Sequence, residues 1–405
     1  MSLFIPFLRK LIHYGRLTVV DAHGRSHLFD GRPAAELLPV TIRLHDPRLH
    51  WMLPLRPSMA VGEGYMEGTM TVEGGGIYDF LALASENLCR KDQRNGYHEP
   101  MAKLLRWFHH WNPVGTSRRN AAHHYDLSEP FYRLFLDSDR QYSCAYFADP
   151  EMSLDEAQAA KKRHIASKLR LKDGQTVLDI GSGWGGLALT IARLADITVT
   201  GITLSAEQLR ASQRRAEEAQ LSQRVRFLLT DYREIAGKFD RIVSVGMFEH
   251  VGAPHYLTFF RRLRSLLAED GVALLHAIGR SHGPGTTNPW IRKYIFPGGY
   301  SPALSEVLAA VERSGLFVTD VEILRPHYAD TLRHWRHRFA ARRAEAASLY
   351  GEKFCRMWEF YLAGAETAFR YQGHMVWQMQ LARRPDAVPR TRNYMWTAEQ
   401  SYPRS

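Results

Sequence analysis

The chain has 405 residues, 45% of them apolar, which suffices for a large domain of roughly 250–300 residues and a smaller one. Its formal charge of +11, from 53 Lys and Arg against 42 Asp and Glu, points to an anionic partner, either nucleic acid or a negatively charged membrane surface. Three scattered cysteines, Cys89, Cys144 and Cys355, give no disulfide framework or zinc spacing, and no uncharged apolar run approaches the ~20 residues that span a bilayer.

In chain order, the N-terminal run Leu3, Phe4, Ile5, Phe7, Leu8 is too short for a signal-peptide core and precedes its positive charges, so it reads as apolar contacts for a membrane surface. Short strands are predicted at 17–20, 41–44 and 68–76, then a helix around 77–89 and a basic linker over 91–120. From residue 150 helices and strands alternate, the pattern of a sheet with helices on both faces. A basic helix over 155–171 leads to strands at 176–180 and 197–202. A helix then starts at Ser205, a plausible N-cap with Gln208 three residues on. Strands follow at 225–229, 240–245 and 272–278, then a helical region over 330–370 and a strand at 375–381. The division expected is a small N-terminal α+β domain with its linker, 1–115, and a doubly wound α/β domain, 116–405.

The strongest motif runs from Val177 through Asp179 and Ile180 into Gly181, Ser182, Gly183, Trp184, Gly185 and Gly186. A buried strand turns on glycines into a helix, so backbone amides approach a ligand with no Cβ in the way. The spacing is G-x-G-x-G-G, not the G-x-G-x-x-G that seats a dinucleotide pyrophosphate. With Asp179 before it, this variant is typical of methyltransferases. The second strand ends at Thr203, Leu204 and Ser205, where an adenosine ribose would lie, and its usual acidic ligand is missing there. Hydroxyls, Glu207 or Gln208 must serve instead, while Asp231 and Tyr232 hold the place for adenine contacts.

Several further motifs, in order, resemble the cyclopropane-fatty-acyl-phospholipid synthases: His124-Tyr125-Asp126-Leu127, the run from Gln141 to Phe147, Leu178 to Gly181, Arg241 to Gly252, and Trp290 to Gly298. The likeness covers about residues 120–382; the N-terminal third resembles the family's extra lipid-binding domain by position and texture. The resemblance implies a class I methyltransferase (Rossmann-like) sheet with helical additions, S-adenosylmethionine as cofactor and bicarbonate as the base. By motif it places Cys144, Glu249, His276, Ile278 and Tyr328 around the bicarbonate. It places Tyr142, Ser143, Asp179, Gly181, Gly183, Thr203, Ser205, Gln208, Asp231 and Tyr232 around the cofactor, and it implies no metal. Taken singly, His276 on an apolar strand reads as a satisfied core histidine, and Cys144 as a small hydrophobe.

The chemistry needs a dry pocket, because an isolated alkene is a poor nucleophile. Glu249, Tyr146, Phe147 and Tyr232 are candidates to stabilise the carbocation. The segment 281–302 reads as a cover over an apolar tunnel, with Arg292 and Lys293 near a lipid headgroup. The run from Trp335 to Arg343 reads either as a lipid-facing helix or as a solvated basic face. The expected activity is methylene transfer to the cis double bond of an unsaturated phospholipid at an anionic membrane surface. The enzyme is expected to be a cytoplasmic, peripherally bound homodimer without nucleic acid. The alternatives are a methylene- or methyl-branched product, a small-molecule amine methyltransferase, and a non-enzymatic basic membrane-binding protein.

Overall fold

The computed structural model describes residues 4–92 and 127–403. Leu3, the motif residues His124, Tyr125 and Asp126, most of the expected linker and the boundary at 115 lie outside them. The contacts divide the chain into two units. One combines the N-terminal segment with Thr287–Ile295 and Leu332–His374; the other holds residues 127–286, Phe296–Thr331 and the chain from Met375 on. The chain therefore re-enters its N-terminal unit twice, which a single linear division does not contain.

The N-terminal unit is built on a four-stranded sheet of β1 (Arg16–Val20), β2 (Ser26–Asp30), β3 (Val40–Leu44) and β4 (Met70–Gly74), in the order β2-β1-β3-β4. Alternate residues Leu17 and Val19, and Val40, Ile42 and Leu44, are buried, the period-two pattern of a half-covered sheet. The helix Phe4–Leu11 puts Phe4 and Leu8 into this core, with Ile5 and Phe7 packed against it. Phe4 and Leu8, expected as membrane contacts, are therefore taken up by this core, while Ile5 and Phe7 stay partly exposed. The helix Glu352–Tyr371 packs on Ile77–Asp92 and Pro57–Glu67. Trp290, fully buried, meets Phe360 at 4.6 Å, and its ring fills the space where a Cβ on Gly62 would stand.

The second unit is a seven-stranded sheet of β5 (Thr176–Ile180), β6 (Thr198–Thr203), β7 (Val225–Leu229), β8 (Phe239–Val245), β9 (Leu267–Arg280), β10 (Phe317–Ile323) and β11 (His374–Ala382). Their order is β10-β11-β9-β8-β5-β6-β7. The five strands from β9 to β7 run parallel, and β10 pairs antiparallel with β11. Val177, Leu178, Ile242 and Val243 have no exposure, because helices cover both faces. The strand order reverses at β5 and β8, and that switch point opens a crevice at the strands' carboxyl ends. The doubly wound fold is as expected. β2, β10 and the helices Leu49–Leu55, Pro57–Glu67 and Leu304–Glu312 have weaker sequence signals and were not anticipated.

Candidate active site

At the end of β5 the amides of Gly181 and Ser182 both donate to the Ile202 carbonyl at 2.9 Å, tying the turn to β6. Gly181 and Gly183 have φ of +83° and +54°, a region that side chains with a Cβ disfavour. A Cβ on Gly181 would meet Met247 at 3.0 Å, whereas one on Gly183 would project into open cleft. The turn feeds the helix Gly186–Leu194, entered through Gly185 at a φ of +83°.

All ten residues expected at the cofactor line this one cleft. Ser205 caps the helix Ala206–Glu218 by accepting the Gln208 amide, and the Thr203 hydroxyl meets Gln208 Oε1 at 2.8 Å. Glu207 serves elsewhere: its carboxylate accepts the Glu129 amide at 2.9 Å. Asp231 is clamped by both arms of Arg233, at 2.8 and 2.7 Å. Asp179 is buried, its Oδ2 has no hydrogen-bond partner, and burial raises its pKa to about 7 against the pull of Lys161. Tyr132, Arg140, Trp184, Met247 and His250 also line the cleft. Tyr132 meets Tyr142 edge-on at 5.4 Å and Trp184 at 5.7 Å. Trp184, Met247 and His250 lie within the motifs read from the sequence but were given no role there, and no local pattern marks Tyr132 or Arg140.

A second polar set lies beside the cleft without lining it. Glu249, in a short 3-10 turn after β8, accepts the Ile278 amide on Oε1 at 2.6 Å. Its Oε2 is buried without a partner, and burial raises its pKa to about 7. His276 sits two residues before Ile278, on the same face of β9, in register with the cleft-lining Val245. Its Nε2 is likewise buried without a partner. Cys144 and Tyr328 are brought together around Thr331, whose hydroxyl accepts the Ala145 amide at 3.0 Å, one helical turn after Tyr328. Burial pushes the Cys144 thiol far up, so it is no thiolate nucleophile.

Residues 114–379 match the family described as mycolic acid cyclopropane synthetase. The cyclopropane-fatty-acyl-phospholipid synthase of Escherichia coli K12 is 36% identical over 351 residues, covering 85% of this chain and 88% of its own length. The chain belongs to this family. A probable fatty acid methyltransferase from Pseudomonas putida is 38% identical over 384 residues, covering 92% of this chain and 93% of its own. The solved mycolic acid cyclopropane synthase CmaA1, complexed with SAH and CTAB, matches with a TM-score of 0.63 and 36% identity, over 67% of this chain and 99% of that one. The protein is thus an S-adenosylmethionine-dependent methyltransferase of the cyclopropane synthase type, with the class I methyltransferase fold.

The cleft suits that cofactor. An unpartnered carboxyl at Asp179 and the open space at Gly183 fit a ligand carrying an ammonium and a sulfonium charge. When bound, S-adenosylmethionine supplies an electrophilic methyl group. Tyr142 and Ser143 approach the cleft from a loop that Lys161 holds in place. The Lys161 ammonium, without solvent exposure, donates to Gln141 Oε1 at 2.7 Å and to the Ser143 hydroxyl at 2.8 Å. The helix Leu154–Leu169 therefore buries much of what its sequence presents as a basic face.

Other expectations need correction. The Tyr146 ring is stacked on His164 at 4.2 Å and on His327 at 5.0 Å, so it is engaged in packing and is a poor candidate to face a carbocation. Trp290 is a core anchor of the N-terminal unit, and Lys293 donates to Glu63 at 2.7 Å, so this segment is not a detached cover. Within the run from Trp335 to Arg343, Trp335 and Phe339 are buried. Arg336 pairs with Glu366 at 2.9 Å, and Arg343 pairs with Glu352 and Glu359, leaving little of a lipid-facing stripe.

Proposed function

We propose that the enzyme adds a methylene group, from S-adenosylmethionine, to the cis double bond of an unsaturated phospholipid acyl chain, forming a cyclopropane with bicarbonate as the base. The observation that carries this reading is the pair of buried, unpartnered polar atoms, Glu249 Oε2 and His276 Nε2, beside the cofactor cleft. With its pKa near 7, Glu249 is protonated in much of the enzyme at neutral pH and has a hydrogen to donate toward an anion. Bicarbonate, when bound there, supplies a base that none of the surrounding side chains needs to be. Because the Ile278 amide is already taken by Glu249, it acts by orienting that carboxyl.

Methyl transfer to one alkene carbon leaves positive charge on the other, and loss of a proton from the added methyl to the base closes the ring. Tyr232, which lines the cleft, is the aromatic group placed to stabilise that charge. A second reading, a methyl- or methylene-branched product, has the support of the 38% identical relative described as a fatty acid methyltransferase.

The membrane part of the proposal rests on charge and exposure. Trp51 and Leu55, 52% and 64% exposed, lie four residues apart on the helix Leu49–Leu55, between Arg48 and Arg56. That is the make-up of an interfacial contact with anionic lipid. Among the described residues no helix is long and apolar enough to cross a membrane. We place the enzyme at the inner face of the membrane, as a homodimer; sedimentation of the purified protein tests the dimer.

The decisive assay supplies S-adenosylmethionine and vesicles of a cis-monounsaturated phospholipid, then examines the acyl chains by mass and proton NMR. Upfield cyclopropane protons with a mass gain of one CH2 are expected. Vinylidene signals establish the branched-chain product instead, and methylation of a soluble amine with no lipid product overturns the substrate.

A further inference from the structure

His276 is the end of a buried chain of polar side chains. Lys168 Nζ, itself buried on the helix Leu154–Leu169, donates to Gln378 Oε1 at 2.7 Å. Gln378 Nε2, on β11, meets His276 Nδ1 at 3.1 Å. An ammonium can only donate, so the Gln378 oxygen must face Lys168 and its amide nitrogen must face His276. That nitrogen can only donate in turn, so Nδ1 of His276 accepts and its proton resides on Nε2. Nε2 is a buried atom with no protein partner, on the face of β9 that also carries Ile278, whose amide Glu249 accepts.

The far end of the chain is anchored too. Lys168 is paired with Glu322, which also accepts from His164 Nε2 at 2.7 Å, while His164 Nδ1 meets Glu399 at 3.0 Å. A histidine between two carboxylates is held as the imidazolium; burial opposes the charge, but the bonds to Glu322 and Glu399 outweigh it. The groups acting on His276 are thus Lys161, Lys168 and His164, which with its burial oppose a positive charge there, and Glu322, which favours one. The net result is a neutral ring.

We propose that Lys168 and Gln378 are positioning residues that lock His276 in its Nε2–H tautomer, so that it presents a hydrogen-bond donor to the base-binding pocket and is not itself the base. This rests on the bicarbonate reading only for what the donor meets; the tautomer assignment stands on the geometry alone. Gln378→Glu is the discriminating variant. A carboxylate at 378 keeps a partner for Lys168 but accepts from the ring, so the proton moves to Nδ1 and Nε2 turns a lone pair toward the pocket.

The test uses full-length enzyme labelled with 15N-histidine, with the His276 signals assigned by their loss in His276→Asn. Long-range proton–nitrogen couplings in the wild type should show Nε2 protonated and Nδ1 bare, and Gln378→Glu should invert that pattern. In the same variant the bicarbonate concentration for half-maximal turnover should rise at least about tenfold, with the KM for S-adenosylmethionine within about twofold of wild type. A wild-type ring protonated on Nδ1, or on both nitrogens at neutral pH, overturns the proposal however Gln378→Glu behaves. An inverted pattern with unchanged bicarbonate dependence overturns the donor role. Wild-type turnover that ignores bicarbonate while the ring shows the Nε2–H pattern overturns the bicarbonate reading and supports the tautomer assignment.

Discussion

Glu249 Oε1 accepts the Ile278 amide at 2.6 Å, joining the turn after β8 to the end of β9 and leaving the second carboxyl oxygen buried without a partner. The carboxyl is thereby fixed in place yet costly to ionise, and its pKa rises from 4.5 to about 7.

A carboxyl whose folded pKa lies above its unfolded value contributes stability below the unfolded value and loses it as pH rises through the folded one. For Glu249 the window is from about 4.5 to about 7. Glu249→Gln does not ionise, so its thermal stability relative to wild type should improve from pH 5 to about pH 7, by at most about 3 kcal/mol, and level off above that. Paired thermal melts across that range check it; a constant offset contradicts the buried ionisation. The same variant should keep its S-adenosylhomocysteine affinity and lose most turnover.

Asp179 has the opposite relation to its ligand. Burial raises its pKa to about 7, and a cationic ligand favours its ionised form. S-adenosylmethionine should therefore bind more tightly as pH rises from about 6 to about 8, and Asp179→Asn should flatten that dependence. Calorimetric titrations at several pH values measure both.

Gly181→Val and Gly183→Val should each lower S-adenosylhomocysteine affinity at least about tenfold while the protein stays folded. Both residues sit at positive φ; at 181 the new side chain meets Met247, and at 183 it enters the cleft. Retained affinity in both folded variants would contradict the assignment of the cleft.

Lys161→Met removes the hydrogen bonds that hold the partly exposed Gln141 and the buried Ser143. A loss of about 1–3 kcal/mol in stability is expected from the Ser143 hydroxyl left without this donor. Because Ser143 lines the cleft, weaker S-adenosylhomocysteine binding should accompany it, read by calorimetry below the melting transition.

Replacing Trp51 and Leu55 together by Ser should reduce binding to anionic vesicles and activity on them, while leaving S-adenosylhomocysteine binding unchanged, because both side chains are exposed. Wild-type binding should weaken at 1 M salt, where the Debye length is roughly 3 Å, but not vanish, since apolar contacts are unscreened. Flotation assays at two salt concentrations separate the contributions; an unchanged double variant rules out this surface.

The cofactor cleft was legible in the sequence because its determinants are local. A strand running into Gly181 and Gly183, and a Ser205 cap one turn before Gln208, fix the backbone over a few residues, and parallel pairing then brings the strand ends together. The alternation of helical stretches with short apolar runs likewise placed β5 to β9 and β11 within a few residues. What the sequence could not decide is which face of a helix meets which distant strand. Lys161, His164 and Lys168 belong to a stretch that reads only as a basic helix. Only packing against the loop of Gln141 and Ser143, and against Glu322 and Gln378, turns them into buried partners of the site. Phe4 and Leu8 read as membrane contacts, and Trp290 as part of a cover, for the same reason: a hydrophobic side chain shows its need for burial in the sequence, and the tertiary structure alone supplies the surface that covers it.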